Sequence, residues 1–286
     1  MSPKRKPPAE PGYDFARHAV SEAEVRRFRV GRETHPRDVV VRVGDVVIGG
    51  PEPVLIAGPC SVDDGKAFLA TVAAVARLGV KLVRAHLFKF RTFPESFQGL
   101  GAAGLDLLRE ARERHGVLFV SEVIDPTHVE VLHDAVDVLQ VGSRSMMNTA
   151  LLRAVSRADR PVLLKRLFAA TLGEFLAAAE YVARGGNERI VLCERGIRTF
   201  DPWTRFSLDV PGIALLRRVS PLPVVADVSH GLGRTDIALP VARAALAAGA
   251  AGIMVEVHAH PARARSDAFQ QMTPRAFAAF AAGLRR

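Results

Sequence analysis

The chain has 286 residues, a formal net charge of +9 at pH 7, 49% apolar and 24% charged residues, and only 6% aromatic residues. This balance supplies the core of one large α/β domain and excludes a disordered or collagen-like chain. No apolar run reaches the roughly 18 to 20 residues of a membrane span. The basic start, Met1-Ser-Pro-Lys-Arg-Lys-Pro-Pro8, has no apolar stretch behind it; no secretory signal is expected, and the cytoplasm is the expected compartment. Two cysteines, Cys60 and Cys193, are too few for a disulfide framework and are expected as free thiols. The positive charge is scattered as arginines over helix-like stretches (Arg109, Arg112, Arg114, Arg217, Arg218). With so few aromatics, nucleic acid is not expected as the main partner, and an anionic small substrate fits better.

In chain order, residues 1–38 lack periodicity and are expected to form a largely mobile tail. Residues 39–50, Val39-Val-Val-Arg-Val-Gly-Asp-Val-Val-Ile-Gly-Gly50, alternate around Gly44-Asp45 and predict a small β-hairpin. From residue 51 to 286 a regular alternation sets in. Short β-branched runs begin at Val54, Lys81, Val117, Val136, Pro161, Arg189, Pro223 and Gly252. Stretches of helical spacing lie between them, such as Ala67 to Leu78, Leu105 to His115, Phe175 to Arg184 and Leu239 to Ala248. Strand starts recur about every 28 residues, the size of a βα unit. Eight units predict a (β/α)8 TIM barrel preceded by the hairpin; a doubly wound open sheet is the alternative, disfavoured because no Gly-rich dinucleotide fingerprint follows the first strand.

A TIM barrel builds its active site at the C-terminal ends of its strands, and the polar residues collect there. The strand ends read Gly58-Pro-Cys-Ser61, Arg84, Ser121-Glu122, Gly142-Ser-Arg144, Lys165-Arg166, Cys193-Glu-Arg-Gly196, Asp227-Val-Ser-His230 and Glu256-Val-His258. Within this ring Cys60, His230 and Glu256, with Asp267 from the last loop, form a mixed soft and hard ligand set suited to a divalent transition metal with an open position. Cys60 alone would read as a small buried hydrophobe, and Cys193, which lacks such company, is expected in the core. A second set is cationic: Arg84, Lys89, Arg91, Arg144, Lys165, Arg166, Arg195 and Arg198. Ion pairs with Glu122, Glu194, Glu256 and Asp227 would absorb part of this charge, and the remainder calls for a ligand with several negative charges.

These residues resemble the 3-deoxy-D-arabino-heptulosonate-7-phosphate (DAHP) synthases, in the compact branch related to 3-deoxy-D-manno-octulosonate-8-phosphate synthase. The resemblance runs from about Val39 to Met272. It rests on Ala57-Gly-Pro-Cys-Ser61, Phe88-Lys-Phe-Arg-Thr92 with Ser96-Phe-Gln-Gly-Leu-Gly101, Leu192-Cys-Glu-Arg-Gly-Ile-Arg-Thr-Phe200, Asp227-Val-Ser-His230, and Val255-Glu-Val-His258 with Ser266-Asp267. It implies an aldol-type condensation of phosphoenolpyruvate with an aldose phosphate, erythrose 4-phosphate in this branch, at the start of the shikimate route to aromatic amino acids. The implied metal ligands are Cys60, His230, Glu256 and Asp267, for manganese first and iron, cobalt or zinc otherwise. Arg84, Lys89, Arg144, Lys165 and Arg195 match the phosphoenolpyruvate site, and Arg91 with Thr92 the clamp on the aldose phosphate. Lys89 is the candidate for protonating the aldehyde oxygen and Glu122 for orienting water.

The chain departs from the family pattern in four places. Lys89-Phe-Arg-Thr-Phe93 stands for Lys-Pro-Arg-Thr-Ser, Arg84-Ala-His-Leu87 for Arg-Gly-Gly-Ala, Lys165-Arg-Leu-Phe168 for Lys-Arg-Gly-Met, and Asp227-Val-Ser-His230 for Asp-Pro-Ser-His. These bulkier residues suggest a reshaped acceptor pocket and hence, as the alternative, a different aldose phosphate or aldehyde in a specialised pathway. The octulosonate branch is disfavoured because its clamp reads Ala-Asn-Arg-Ser. A binding protein that kept the barrel without turnover is disfavoured by the intact metal and phosphate sets. No ferredoxin-like or chorismate mutase module is expected within these residues, nor direct feedback control by an aromatic amino acid, and a homodimer or homotetramer is expected.

Overall fold

The strands that close this fold are apolar on both faces, as parallel strands covered by helices must be. In the computed structural model, which describes residues 19–285, a helix α1 (Glu22–Arg26) and a hairpin of β1 (Val41–Val43) and β2 (Val46–Ile48) precede eight parallel strands. These are β3 (Val54–Gly58), β4 (Leu82–Arg84), β5 (Leu118–Val123), β6 (Val138–Val141), β7 (Val162–Lys165), β8 (Ile190–Glu194), β9 (Val224–Asp227) and β10 (Gly252–Glu256). Each pairs with the next, and β10 returns to β3, closing the barrel. The outer helices are α2 (Gly65–Arg77), α3 (Leu105–His115), α4 (Thr127–Leu132), α5 (Thr149–Arg157), α6 (Leu172–Arg184), α7 (Val210–Val219), a short α8 (Val228–Leu232), α9 (Ala238–Ala247) and α10 (Pro274–Leu284). Local chemistry sets their starts: Asp64, Asn148, Asp209 and Thr273 accept backbone N–H bonds at helix N-termini, and Thr171 with Glu174 forms a capping box.

The barrel interior is layered by the two-residue period of its strands. One layer is apolar: Ile56, Leu82, Val120, Val138, Leu163, Val191, Cys193, Val225 and Met254 pack as one buried cluster. Cys193 is thus a core residue, as expected, and burial pushes its thiol up to about 12. Two residues further along the strands the same inward face carries Arg84, Glu122, Gln140, Lys165, Arg195, Asp227 and Glu256, all nine-tenths or more buried. The alternation therefore stacks a charged layer directly on an apolar floor.

The expected hairpin forms, and it closes the barrel's other end. Val41, Val43 and Ile48 belong to the interior cluster and are at most 3% exposed. The expectation of a mobile tail over residues 1–38 needs correction where the structure describes it; residues 1–18 lie outside the described residues. Residues 20–38 pack on the barrel: Val25 and Val30 are buried, and α1 lies against α6 and α7. The Ser220 hydroxyl donates to the Val30 carbonyl at 2.7 Å, and Asp38 accepts from Arg32 and Arg217. Single apolar residues at irregular spacing carry this docking, which a periodicity argument does not detect.

Ile48→Ala should cost about 2 to 5 kcal/mol, because it opens a void between the hairpin and the barrel floor that cannot collapse. Urea unfolding of the two proteins measures the difference.

Candidate active site

Four potential ligands converge at the C-terminal mouth of the barrel. Cys60 follows β3, His230 sits in α8, Glu256 ends β10 and Asp267 lies in the loop beyond it; one ligand atom from each falls within 4.8 Å of all the others. Cys60 Sγ is 3.3 Å from Asp267 Oδ2, and His230 Nε2 is 3.4 Å from Glu256 Oε1 and 3.7 Å from Asp267 Oδ2. Gly58 permits this approach, since a Cβ there would stand 2.3 Å from the Arg84 carbonyl oxygen. Asp267 is the one non-glycine residue with positive φ among those described, at φ 45.

The electrostatics prepare these groups for a cation. Burial pulls the His230 imidazole down to about 4, so the ring is neutral near pH 7 and Nε2 is free to ligate. Its Nδ1 lies 2.8 Å from Asp227 Oδ2, which fixes the proton on that nitrogen. Burial alone would raise the carboxyls of Glu256 and Asp267, but His230 with Arg84 and Lys89 with His230, respectively, outweigh it and hold both below their ordinary values. Burial and the Glu256 charge raise the Cys60 thiol, so a cation has a proton to displace there. Glu256 Oε1 is buried and accepts no well-aligned hydrogen bond, although Arg84 Nη2 approaches it at 3.0 Å. A carboxylate oxygen so placed, facing an imidazole nitrogen, a thiol and a second carboxylate, fits a divalent ion.

Around this set the mouth is cationic, lined by Arg84, Lys89, Arg144, Lys165, Arg195 and Arg205, with Glu122, Gln140, Gly142, Ser143, His230 and Asp267. Half of these cations have acidic partners. Arg84 Nη2 lies 3.0 Å from Glu256 Oε1, Lys165 bonds Asp227, and Arg205 pairs with Asp267 at 3.4 Å. Lys89 Nζ donates to Cys60 Sγ at 2.9 Å. Burial opposes its charge, yet Cys60, Glu122 and Asp267 raise its pKa, so it stands in the mouth as an ammonium.

Two of the lining guanidiniums have no acid at ion-pair distance among the described residues. The Arg144 guanidinium lies 4.6 Å from the Phe90 ring centroid and bonds the Phe90 carbonyl and Thr92 Oγ1, both at 3.2 Å. That of Arg195 lies 4.0 Å from the Phe206 ring centroid, and burial brings it down to about 10. Aromatic faces hold these groups without neutralising them.

Several expectations change. Arg166 is not free for an anion: Nη1 binds Glu194 at 2.9 Å and Asp209 at 2.7 Å, and Nε binds the Ala170 carbonyl. Arg198 stacks on Phe168. Arg91 and Thr92 lie outside the lining, on the half-buried to exposed loop beside Arg144. None of the bulkier residues is among those that line the mouth. Phe93 is 69% exposed, Leu87 packs in the core against Gly104, and Phe168 stacks on Phe206. His86 lies buried beneath the mouth, where Nδ1 accepts the Glu122 N–H at 3.0 Å. Glu122 itself faces the mouth because Gly142 opposes it; a Cβ there would stand 1.9 Å from Oε1.

Sequence reasoning assigned no role to Arg205 or Gln140, and to Asp227 only that of an ion-pair partner. The two-residue period after Val138 and Val225 points to Gln140 and Asp227. Arg205 comes from a long loop that has no such register.

The sequence profile of the DAHP synthetase I family matches residues 27–285. A Thermotoga maritima phospho-2-dehydro-3-deoxyheptonate aldolase is 45% identical over 85% of this chain and 72% of its own length. The crystal structure of such an aldolase (DAHP synthase) from that organism superposes with a TM-score of 0.86 at 44% identity, covering 90% of this chain and 75% of the other. A truncated form of the Thermotoga maritima DAHP synthase gives 0.83 at 40% identity, covering 90% of this chain and 94% of its own. A 2-dehydro-3-deoxyphosphooctonate aldolase of Syntrophotalea carbinolica is 32% identical over 79% of this chain and 88% of its own. The barrel, its mouth and these matches define an enzyme. More narrowly, the chain belongs to the DAHP synthetase I family.

The buried His86 gives a pH prediction. Burial, then the charges of Arg84 and Lys89, hold its imidazole well below the ordinary value. The folded state therefore resists a proton that the unfolded chain accepts below about pH 6.5, and stability is lost as pH falls from there toward the folded pKa, by about 1.4 kcal/mol per pH unit. Unfolding free energies between pH 7 and 5 should fall with at least that slope, because His230 is depressed in the same way, and His86→Asn should lower the slope by the share of His86 alone.

Proposed function

We propose that the enzyme condenses phosphoenolpyruvate with erythrose 4-phosphate and water to give 3-deoxy-D-arabino-heptulosonate 7-phosphate and inorganic phosphate. The observation that carries this reading is the four-ligand set beside two guanidiniums that lack acid partners in one barrel mouth. One sulfur, one imidazole and two carboxylates suit a borderline transition ion, manganese first and iron, cobalt or zinc otherwise. Bound by Cys60, His230, Glu256 and Asp267, such an ion would supply Lewis acidity toward the aldehyde oxygen.

The chain's own groups account for the rest. Arg144 and Arg195, with Lys165 and Arg84 behind them, hold the phosphate and carboxylate of phosphoenolpyruvate and fix its plane. Its C3 attacks the aldehyde carbon while Lys89, the ammonium beside the ligand set, gives a proton to the aldehyde oxygen. The cationic C2 left behind is captured by water that Glu122 orients and deprotonates from its place in the lining. The C2–O bond to phosphate then breaks and inorganic phosphate leaves. Arg91 and Thr92, at the outer edge, take the acceptor's phosphate. Because the bulky substitutions stand outside the mouth, their positions favour erythrose 4-phosphate over an altered acceptor.

No helix among the described residues is long and apolar enough to cross a membrane. A cytoplasmic site of action is part of the proposal. A homo-oligomer, a dimer or tetramer, completes the proposal.

Chelation should abolish phosphate release from the two substrates, and Mn2+ should restore it; full turnover in protein shown metal-free by elemental analysis would defeat the reading. Arg195→Ala should weaken phosphoenolpyruvate binding by a factor of order 100, the loss expected for a charge-assisted partner in a buried site. Calorimetry on the folded variant measures it.

A further inference from the structure

Two ligands of the set, Cys60 and Asp267, arrive on loops rather than strands, and buried side chains outside the set stitch these loops together. Ser61 Oγ meets Ser266 Oγ at 2.7 Å, the Cys60 N–H donates to Gln271 Oε1 at 3.1 Å, and Gln271 Nε2 donates to the Ser266 carbonyl at 2.8 Å. Further out stands a pair for which the reaction has no use: Asp63 and His258, whose side chains are 4% and 2% exposed. His258 Nδ1 accepts the His260 N–H at 2.9 Å, so the ring proton sits on Nε2, which faces Asp63 Oδ1 at 3.3 Å. The other carboxylate oxygen, Oδ2, accepts the Arg265 N–H at 2.7 Å. One carboxylate thus ties both ends of the segment 258–265 to the loop that carries Cys60.

Two residues beyond Arg265 the chain reaches Asp267 in its left-handed conformation. A non-glycine residue stays in that region only where its surroundings over-determine it. We propose that Asp63 and His258 are positioning residues that hold the 258–267 segment so that the Asp267 carboxylate is presented to the metal. This rests on the metal reading of the four-ligand set. The role is distinct from general fold support because the pair acts on one ligand-bearing loop, while the anion-binding side chains Arg144, Lys165 and Arg195 come from other strand ends.

The test is Mn2+ binding by calorimetry to the full chain, to Asp63→Asn, which leaves one acceptor for the two donors, and to His258→Asn, which acts from the other end. His258→Asn keeps an acceptor for the His260 N–H and removes the donor to Asp63. Each variant should bind Mn2+ about 10- to 100-fold more weakly, the usual consequence of losing an outer partner of a metal site. The KM for phosphoenolpyruvate at saturating Mn2+ should be unchanged, and kcat should recover as Mn2+ is raised. Unchanged Mn2+ affinity in a folded variant overturns the proposal, as does a loss of phosphoenolpyruvate affinity as large as that for Mn2+. If one variant fails to fold, the other decides. Failure of the unaltered protein to take up Mn2+ would defeat the metal reading itself and the proposal with it.

Discussion

Asp227 ends β9 in the charged layer, fully buried, and its two oxygens serve several masters. Oδ1 accepts the His230 N–H at 2.9 Å and starts α8, while Oδ2 takes both His230 Nδ1 and the Lys165 ammonium. Arg84 Nη1 stands 4.0 Å away. Burial by itself would protonate this carboxyl, but His230, Lys165 and Arg84 overcome that and hold it well below its ordinary value. A buried anion is tolerable only when so surrounded, and its partners are tolerable only because it is there. The ligand set and the anion-binding wall are therefore one electrostatic unit, joined through a residue that need touch no substrate.

The same reasoning sorts the remaining charges by what has already claimed them. Arg166 is consumed by Glu194 and Asp209, and the link is structural: Glu194 Oε1 also accepts the Gly196 N–H at 2.6 Å, and Asp209 caps α7. This network braces both ends of the loop from Arg195 to Leu208, which supplies Arg195 and Arg205 to the mouth. Arg144 and Arg195, by contrast, rest on aromatic rings and bond only to neutral oxygens, so their charge stays available to an incoming anion. Cationic character at a barrel mouth is thus no measure of anion capacity; that capacity lies in the few cations left without acids.

The bulky departures from the family pattern illustrate a related point about direction. Phe90, Phe93, Leu87 and Phe168 sit beside functional residues in the chain, which made a reshaped pocket the natural expectation. In space the loops beyond β4 and β7 carry these side chains into the core, onto Arg144 or Phe206, or into solvent. Phe90 even acquires a supporting role, as the ring beneath Arg144.

Much was legible in the sequence because it is local and repeats: the strand spacing, the polar residue at each strand end, and the alternation that puts Arg84, Glu122, Lys165, Asp227 and Glu256 on one inward face. The strand-end reading also named Cys60, His230 and Asp267 as ligands, motif resemblance gave the same set, and the barrel brings them together. What only the tertiary structure decided concerns residues distant along the chain. These include the docking of residues 20–38, the plugging of the barrel floor by the hairpin, the capture of Arg166, the arrival of Arg205 and the Asp63–His258 tie between loops some 195 residues apart. The physical reason is that backbone periodicity fixes which way a strand residue faces, whereas loop geometry and charge pairing depend on which partners closure of the barrel places within a few ångströms.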